Sequence, residues 1–173
     1  MAERSETVRS KTPGKTTSDT RVVIAQLMTP MHANTLGNVH GGWIMKLVDE
    51  AGALAAMRHA QYRVVTVALD QMTFKQPILI GDLVTISAEV SYTGTTSMEC
   101  EVQVVAENPI TGIRMHTNTA YLVYVALDER GSPVPVPALV AESEEEAQRL
   151  EEGRLRQEYR KRARKKTGDR QLQ

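Results

Sequence analysis

The sequence predicts an α+β fold in which an antiparallel β-sheet wraps around one central α-helix, with a charged helix at the C-terminal end. The segment around residue 50 has the 3.6-residue periodicity of a packed helix, and no other core segment has it. Five further segments have the patterns of strands. One helix cannot cover both faces of five strands, so we also expect burial against a second subunit.

The composition excludes several classes of protein. Lys+Arg and Asp+Glu both number 21, and this zero net charge gives no reason to expect nucleic acid as a partner. The apolar stretch Val22–Met28 is too short for membrane insertion. The only cysteine, Cys100, cannot form an internal disulfide, which favours a reduced, cytoplasmic setting. The four histidines lack metal-ligand spacing, so no metal is expected.

The first elements follow in order. Residues 1–20 contain no Leu, Ile or aromatic residue and are predicted to be a disordered leader. Arg21–Met28 is predicted to be the first strand, ended by Pro30. The central helix is predicted from Gly42 to about Arg58, with one apolar face made of Ile44, Leu47, Val48, Ala51, Leu54 and Ala55.

Four strands are predicted after the helix. The first, Val64–Phe74, is rich in β-branched residues. The next two alternate strictly between apolar and polar residues, at 84–90 and 98–104. The last, Ile113–Leu127, is predicted to present one face made of Met115, Thr117, Thr119, Tyr121, Val123 and Val125. One face of such a sheet is buried and the other is not.

The C-terminal part is predicted to leave this domain. The domain spans residues 21–130, a Pro-rich extended linker spans 131–141, and a charged helix with its tail spans 142–173. Acids come early in that helix and bases late, which complements the helix dipole. We expect a solvated helix with a frayed end; the alternative is that its basic end contacts nucleotide phosphates.

The start of the central helix is a candidate site. Gly41 and Gly42 leave backbone N–H groups bare at the positive end of the helix dipole. Such groups can polarise a carbonyl oxygen and stabilise an oxyanion. His40 precedes them and could transfer a proton, but a capping or packing role is favoured.

Asp49, two turns into the helix, is the candidate reactive group. Gly52 and Ala53 share its face, and a glycine inside a helix costs about 1 kcal/mol relative to alanine. We therefore expect something to approach the helix beside this carboxylate. The alternative is that Asp49 is exposed and the small residues accommodate a neighbouring subunit. A serine hydrolase is not expected, because no G-x-S-x-G motif is present.

The motif Asn34-x-x-Gly37-x-x-His40-Gly41-Gly42, followed by Asp49-Glu50-Ala51-Gly52, resembles the active-site segment of hotdog-fold acyl-CoA thioesterases. The similarity is strongest to bacterial short- to medium-chain enzymes and cytosolic (brain-type) acyl-CoA hydrolases, and it spans roughly residues 20–160. The mammalian cytosolic enzymes join two hotdog units, whereas this chain has one. Self-association would have to supply the second unit.

The resemblance implies roles for individual residues. Asn34 binds and orients the reacting groups, Asp49 activates water or attacks directly, and Gly42 stabilises the oxyanion. It further implies a dimer whose active sites lie between subunits, assembled into a tetramer or hexamer, and no cofactor besides the CoA of the substrate. Residues implied in substrate binding are His40, Gly41, Thr66, Lys75 (at a phosphate), Gly94, Thr95, Thr96 and Ser97.

Two alternative functions remain at this stage. A hotdog hydratase or dehydratase would need a His–acid pair to move protons at carbon. A non-catalytic acyl-CoA-binding module would not need Asp49.

Overall fold

The computed structural model describes residues 13–70, 72–74 and 76–168 of the chain, without side chains from 165 onward. The main sheet is antiparallel and five-stranded, with the spatial order β2-β4-β5-β6-β3 and with α2 packed inside it. The predicted fold of one central helix wrapped by an antiparallel sheet is confirmed. In chain order the elements are β1 (Lys15–Thr16), α1 (Thr17–Thr20), β2 (Val22–Leu27), a 3-10 turn (Pro30–His32), α2 (Gly41–Ala60), β3 (Arg63–Leu69), β4 (Leu83–Thr93), β5 (Ser97–Glu107), β6 (Arg114–Leu127), β7 (Leu139–Val140) and α3 (Glu144–Gly168).

Helix α2 buries a face that differs in part from the predicted one. Leu54, expected in the core, is 44% exposed, whereas Gly52 and Ala56 are buried. The small residues beside Asp49 therefore face the sheet of the same chain, and that contact brings a strand close to the carboxylate.

The apolar residues predicted to face the core in β4 and β5 are buried, but in β5 the polar neighbours Glu99 and Glu101 are buried as well, at 1% and 9% exposure. For β6, the face predicted from alternation is not the core face. The core side of β6 is formed by Ala120, Leu122, Tyr124 and Ala126. Apolar residues occupy both faces of β6, so alternation alone could not identify the buried one. A register shift between β5 and β6 at Val104 and Val105 further disturbs the pattern.

The predicted strand Val64–Phe74 was too long, because β3 ends at Leu69. β3 is an edge strand of the sheet, and it leaves Val65, Val67 and Leu69 exposed. An edge with exposed apolar side chains is suited to contact a second subunit.

The predicted disordered leader differs from the structure at residues 13–20; residues 1–12 lie outside the described part. β1 pairs in parallel with β7, and the Thr20 side chain is buried. Thr20 Oγ1 accepts the backbone N–H of Val90 at 3.0 Å and donates to the Thr17 carbonyl at 2.8 Å. Hydrogen bonds order residues 13–20, so the lack of apolar residues in this segment did not indicate disorder.

The charged C-terminal helix is not merely solvated, which corrects the prediction. α3 packs on the outer face of the sheet, where Glu99 is only 1% exposed. Arg156 pairs with Glu99 at 2.8 Å, and Arg160 pairs with Glu99 and, at 2.8 Å, with Asp70. These arginines neutralise the buried carboxylate and are already engaged within the chain. No helix among the described residues is both long and apolar enough to cross a membrane.

His59 attaches the Pro-rich linker to the end of α2. It is 0% exposed, and its Nε2–H donates to the carbonyl oxygen of Pro137 at 2.8 Å. Its Nδ1 has no hydrogen-bond partner among the described residues. Burial lowers the pKa of His59 below its ordinary value of 6.5, because the charged ring would lose its hydration.

We therefore expect His59 to make the folded protein less stable in acid. As the pH falls below about 6.5, the unfolded chain binds a proton that the folded chain does not, which costs up to about 1.4 kcal/mol of unfolding free energy per pH unit. Urea unfolding between about pH 8 and about pH 5 at one protein concentration measures this slope. His59→Gln keeps an N–H donor but does not titrate; an equal slope in that variant would contradict the assignment.

Candidate active site

The loop before α2 fixes Asn34 through a local turn. Asn34 Oδ1 accepts the backbone N–H groups of Leu36 at 2.8 Å and Asn38 at 3.2 Å. The Asn34 N–H in turn donates to the Asn38 carbonyl at 2.7 Å. Because Oδ1 is engaged in the turn, the Nδ2 group is the part of this side chain left to donate to a ligand.

The helix start is capped by the residue before it. His40 Nδ1 accepts the N–H of Gly42 at 2.9 Å, so the N–H predicted to be bare is occupied. The capping role favoured for His40 is thus the one seen in the structure. The His40 ring is exposed, and a ligand that uses the Gly42 N–H has to displace it. The Phe74 ring lies against Gly41 and borders the same place.

Asp49 is half-buried and receives donors from two strands. Thr66 Oγ1, on β3, donates to Asp49 Oδ1 at 2.7 Å. The Tyr124 hydroxyl, on β6, lies 3.0 Å from the Asp49 carbonyl oxygen and 3.3 Å from Oδ1. No donor among the described residues binds Oδ2, so that oxygen is left for a water molecule or a substrate. Glu50 points elsewhere and pairs with Lys46 at the surface.

Tyr124 is the site residue that sequence reasoning missed. Its hydroxyl occupies the space above Gly52, where a Cβ atom would lie only 2.4 Å away. The helix glycine had indicated a close approach beside Asp49. A glycine does not indicate which segment approaches the helix. The face predicted for β6 from its alternation does not include Tyr124.

The other predicted substrate-binding residues form a separate group. The 94–97 turn is bonded within the chain: the Ala126 N–H donates to the Thr96 carbonyl at 3.1 Å and the Val136 N–H to the Thr95 carbonyl at 3.0 Å. Gly94 donates its N–H to the Ser97 carbonyl at 2.8 Å. Lys75 lies outside the described residues. Nowhere in the described part do three His, Cys, Asp or Glu side chains form a group that could hold a metal ion.

Asn34 and Asp49 are not hydrogen-bonded to each other in the described chain. The Asn34 Oδ1 contacts lie within its own loop, and the Asp49 contacts come from β3 and β6.

Comparison with known proteins gives consistent results. A family described as "Thioesterase superfamily" matches residues 36–113. A cytosolic acyl coenzyme A thioester hydrolase of Rattus norvegicus is 38% identical over 82% of this chain, which spans only 38% of that relative's length. An uncharacterized acyl-CoA thioester hydrolase of Bacillus subtilis is 38% identical, with 74% of both chains covered.

Solved structures of acyl-CoA thioesterases are also similar to this chain. An apo-hexameric acyl-CoA thioesterase is 37% identical, with a TM-score of 0.84 over 88% of this chain and 97% of its own. An acyl-CoA hydrolase from Staphylococcus aureus, in complex with butyryl-CoA and CoA, is 34% identical, with a TM-score of 0.83 over 93% of this chain and 100% of its own. Alanine variants of that enzyme replace an Asn, an Asp and a Thr spaced 15 and 17 residues apart, the spacing of Asn34, Asp49 and Thr66 here.

Proposed function

Since the chain belongs to the acyl-CoA thioester hydrolases of the thioesterase superfamily, we propose that it cleaves acyl-CoA into a carboxylic acid and free CoA. The resemblance inferred from the sequence and the hotdog fold are both confirmed by this membership. The observation that carries the proposal is the half-buried Asp49 carboxylate, with donors on Oδ1 and Oδ2 left open. The matching Asn–Asp–Thr spacing in the Staphylococcus aureus enzyme supports the same assignment.

Asp49 Oδ2 either takes a proton from the water that attacks the thioester carbon or attacks that carbon itself. In direct attack the C–S bond breaks, and water then hydrolyses the resulting mixed anhydride to the acid and free Asp49. In the water route, the water oxygen bonds to the carbonyl carbon while its proton moves to Asp49. The carbonyl oxygen becomes an oxyanion that the Gly42 N–H stabilises once the substrate has displaced the His40 ring. Collapse breaks the C–S bond, and the CoA thiolate leaves with the proton that Asp49 took from the water, which restores the carboxylate.

The hydratase alternative has less support. All four histidines lie in the described part of the chain, and none of them hydrogen-bonds a carboxylate there. His40 bonds the Gly42 N–H, and His59 is buried against Pro137. A His–acid pair for moving protons at carbon is therefore not formed by these residues.

The active enzyme is a homo-oligomer in this proposal. The exposed edge strand β3 provides a surface for a second copy, and the hexameric state named for a similar structure supports further assembly of dimers. Asn34 of one subunit then works with Asp49 of the other. The reaction needs no cofactor beyond the CoA of the substrate, and we place the enzyme in the cytoplasm, as its cytosolic relative is.

Thiol release from a panel of acyl-CoAs of increasing chain length tests the function. We expect saturable release of free CoA from at least one member, with the matching acid as the second product. Conversion of an enoyl-CoA without thiol release would favour the hydratase. Binding of acyl-CoA with no turnover of any member would favour a non-catalytic module.

A further inference from the structure

The Tyr124 hydroxyl is placed to hold the reactive carboxylate rather than the substrate. Tyr124 is 0% exposed, so a substrate cannot reach it. Its oxygen lies 3.0 Å from the main-chain oxygen of Asp49 and 3.3 Å from Oδ1 of the same residue. One buried group thus contacts both the backbone and the side chain of Asp49.

Tyr124 and Thr66 bind the same carboxylate oxygen from different strands. Thr66 Oγ1 reaches Oδ1 at 2.7 Å from the edge strand β3, and Tyr124 reaches it from β6. The Thr66 O–H donates to Oδ1, and the single Tyr124 proton is shared between Oδ1 and the main-chain oxygen of the same residue. Together these contacts hinder rotation of the carboxylate about its χ2 bond. They keep Oδ2, which has no donor among the described residues, directed away from them.

Gly52 makes this contact possible. A Cβ atom at position 52 would lie 2.4 Å from the Tyr124 oxygen and 3.1 Å from its two nearest ring carbons. The steric clash is therefore greatest with the hydroxyl oxygen, and a side chain at position 52 would displace that oxygen from Asp49. The roughly 1 kcal/mol that a glycine costs inside a helix is explained by this requirement.

We propose that Tyr124, admitted by Gly52, is a positioning residue that orients the Asp49 carboxylate so that Oδ2 faces the thioester. This inference rests on the proposed thioesterase function and adds a residue to it. Burial, with the nearby Cys100 and Asp49, raises the pKa of Tyr124 above its ordinary range. The phenol consequently stays protonated and remains a donor at every pH at which the enzyme would work.

Tyr124→Phe removes only the hydroxyl and tests the role directly. We expect kcat to fall about ten-fold, the effect of losing one hydrogen bond to a charged group, with KM changed less than about two-fold. Tyr121→Phe is the matched control, since it removes the same atom from the opposite face of the same strand, where the ring lies under Arg156. Its kcat should match the wild type.

The outcomes separate this inference from the proposed function. If the wild type hydrolyses acyl-CoA and Asp49→Ala does not, an unchanged kcat in Tyr124→Phe overturns the positioning role alone. A rise in KM with unchanged kcat, or equal losses in the Tyr121 control, does the same. If the wild type hydrolyses no acyl-CoA, both proposals are overturned.

Gly52→Ala provides a second test that does not depend on one variant. In the wild-type background we expect kcat to fall at least about ten-fold, because the added methyl group displaces the hydroxyl. In the Tyr124→Phe background the further loss should be less than about two-fold, since the displaced contact is already absent. Equal fold losses in the two backgrounds would overturn the link between Gly52 and the hydroxyl.

Discussion

Replacing Asp49 by alanine is expected to lower kcat for thioester hydrolysis by about 10²- to 10⁴-fold, the usual contribution of a carboxylate acting as base. The fold should survive, because Tyr124 can still donate to the main-chain oxygen at position 49. Thr66 is exposed, so water can replace the carboxylate as its partner. Subunit assembly and CoA binding should therefore remain close to wild type.

The neighbouring Glu50 offers a matched control for this experiment. It is also a carboxylate on α2, but it is exposed and pairs with Lys46 at the surface. Such a pair contributes about 0–1 kcal/mol, so Glu50→Ala should retain nearly full turnover and stability. Near-normal turnover of the best substrate by Asp49→Ala, measured by thiol release, would show that another group performs the chemistry.

The main parts of the fold were predictable because their patterns are local. The periodicity of α2 and the alternation in β4 and β5 depend on neighbours within one element. The alignment of Asp49 with a helix glycine was local too, and it indicated a close approach. A motif of nearby residues, from Asn34 to Gly52, was enough to identify the family.

The contacts between distant segments were not predictable in this way. Tyr124 is 75 residues from Asp49 in the chain. Both faces of β6 carry apolar residues, so the sequence alone does not show which face is buried. The docking of α3 depends on a buried Glu99 that looks like a surface residue in an alternating strand.

Mixing inactive subunits is expected to restore activity if the active site is shared. Asn34→Ala and Asp49→Ala, each nearly inactive alone, are unfolded together in equal amounts and refolded. About half of the dimers are then mixed, and each mixed dimer has one site with both residues intact and one with neither. Random pairing in a twofold dimer therefore predicts about a quarter of wild-type activity. Mass measurement must confirm that subunits have exchanged.

Thr66 supplies the control for that experiment. Its hydroxyl binds Asp49 of its own chain at 2.7 Å, so both residues belong to the same half of a shared site. In a dimer of Thr66→Ala and Asp49→Ala subunits every site keeps one lesion, and activity should not exceed the average of the two parents. Recovery in the Asn34 mixture but not in this one would locate Asn34 on the partner side. No recovery in the Asn34 mixture, despite confirmed exchange, would show that Asn34 and Asp49 of the same subunit act in one site. That result would not contradict the proposed thioester hydrolysis.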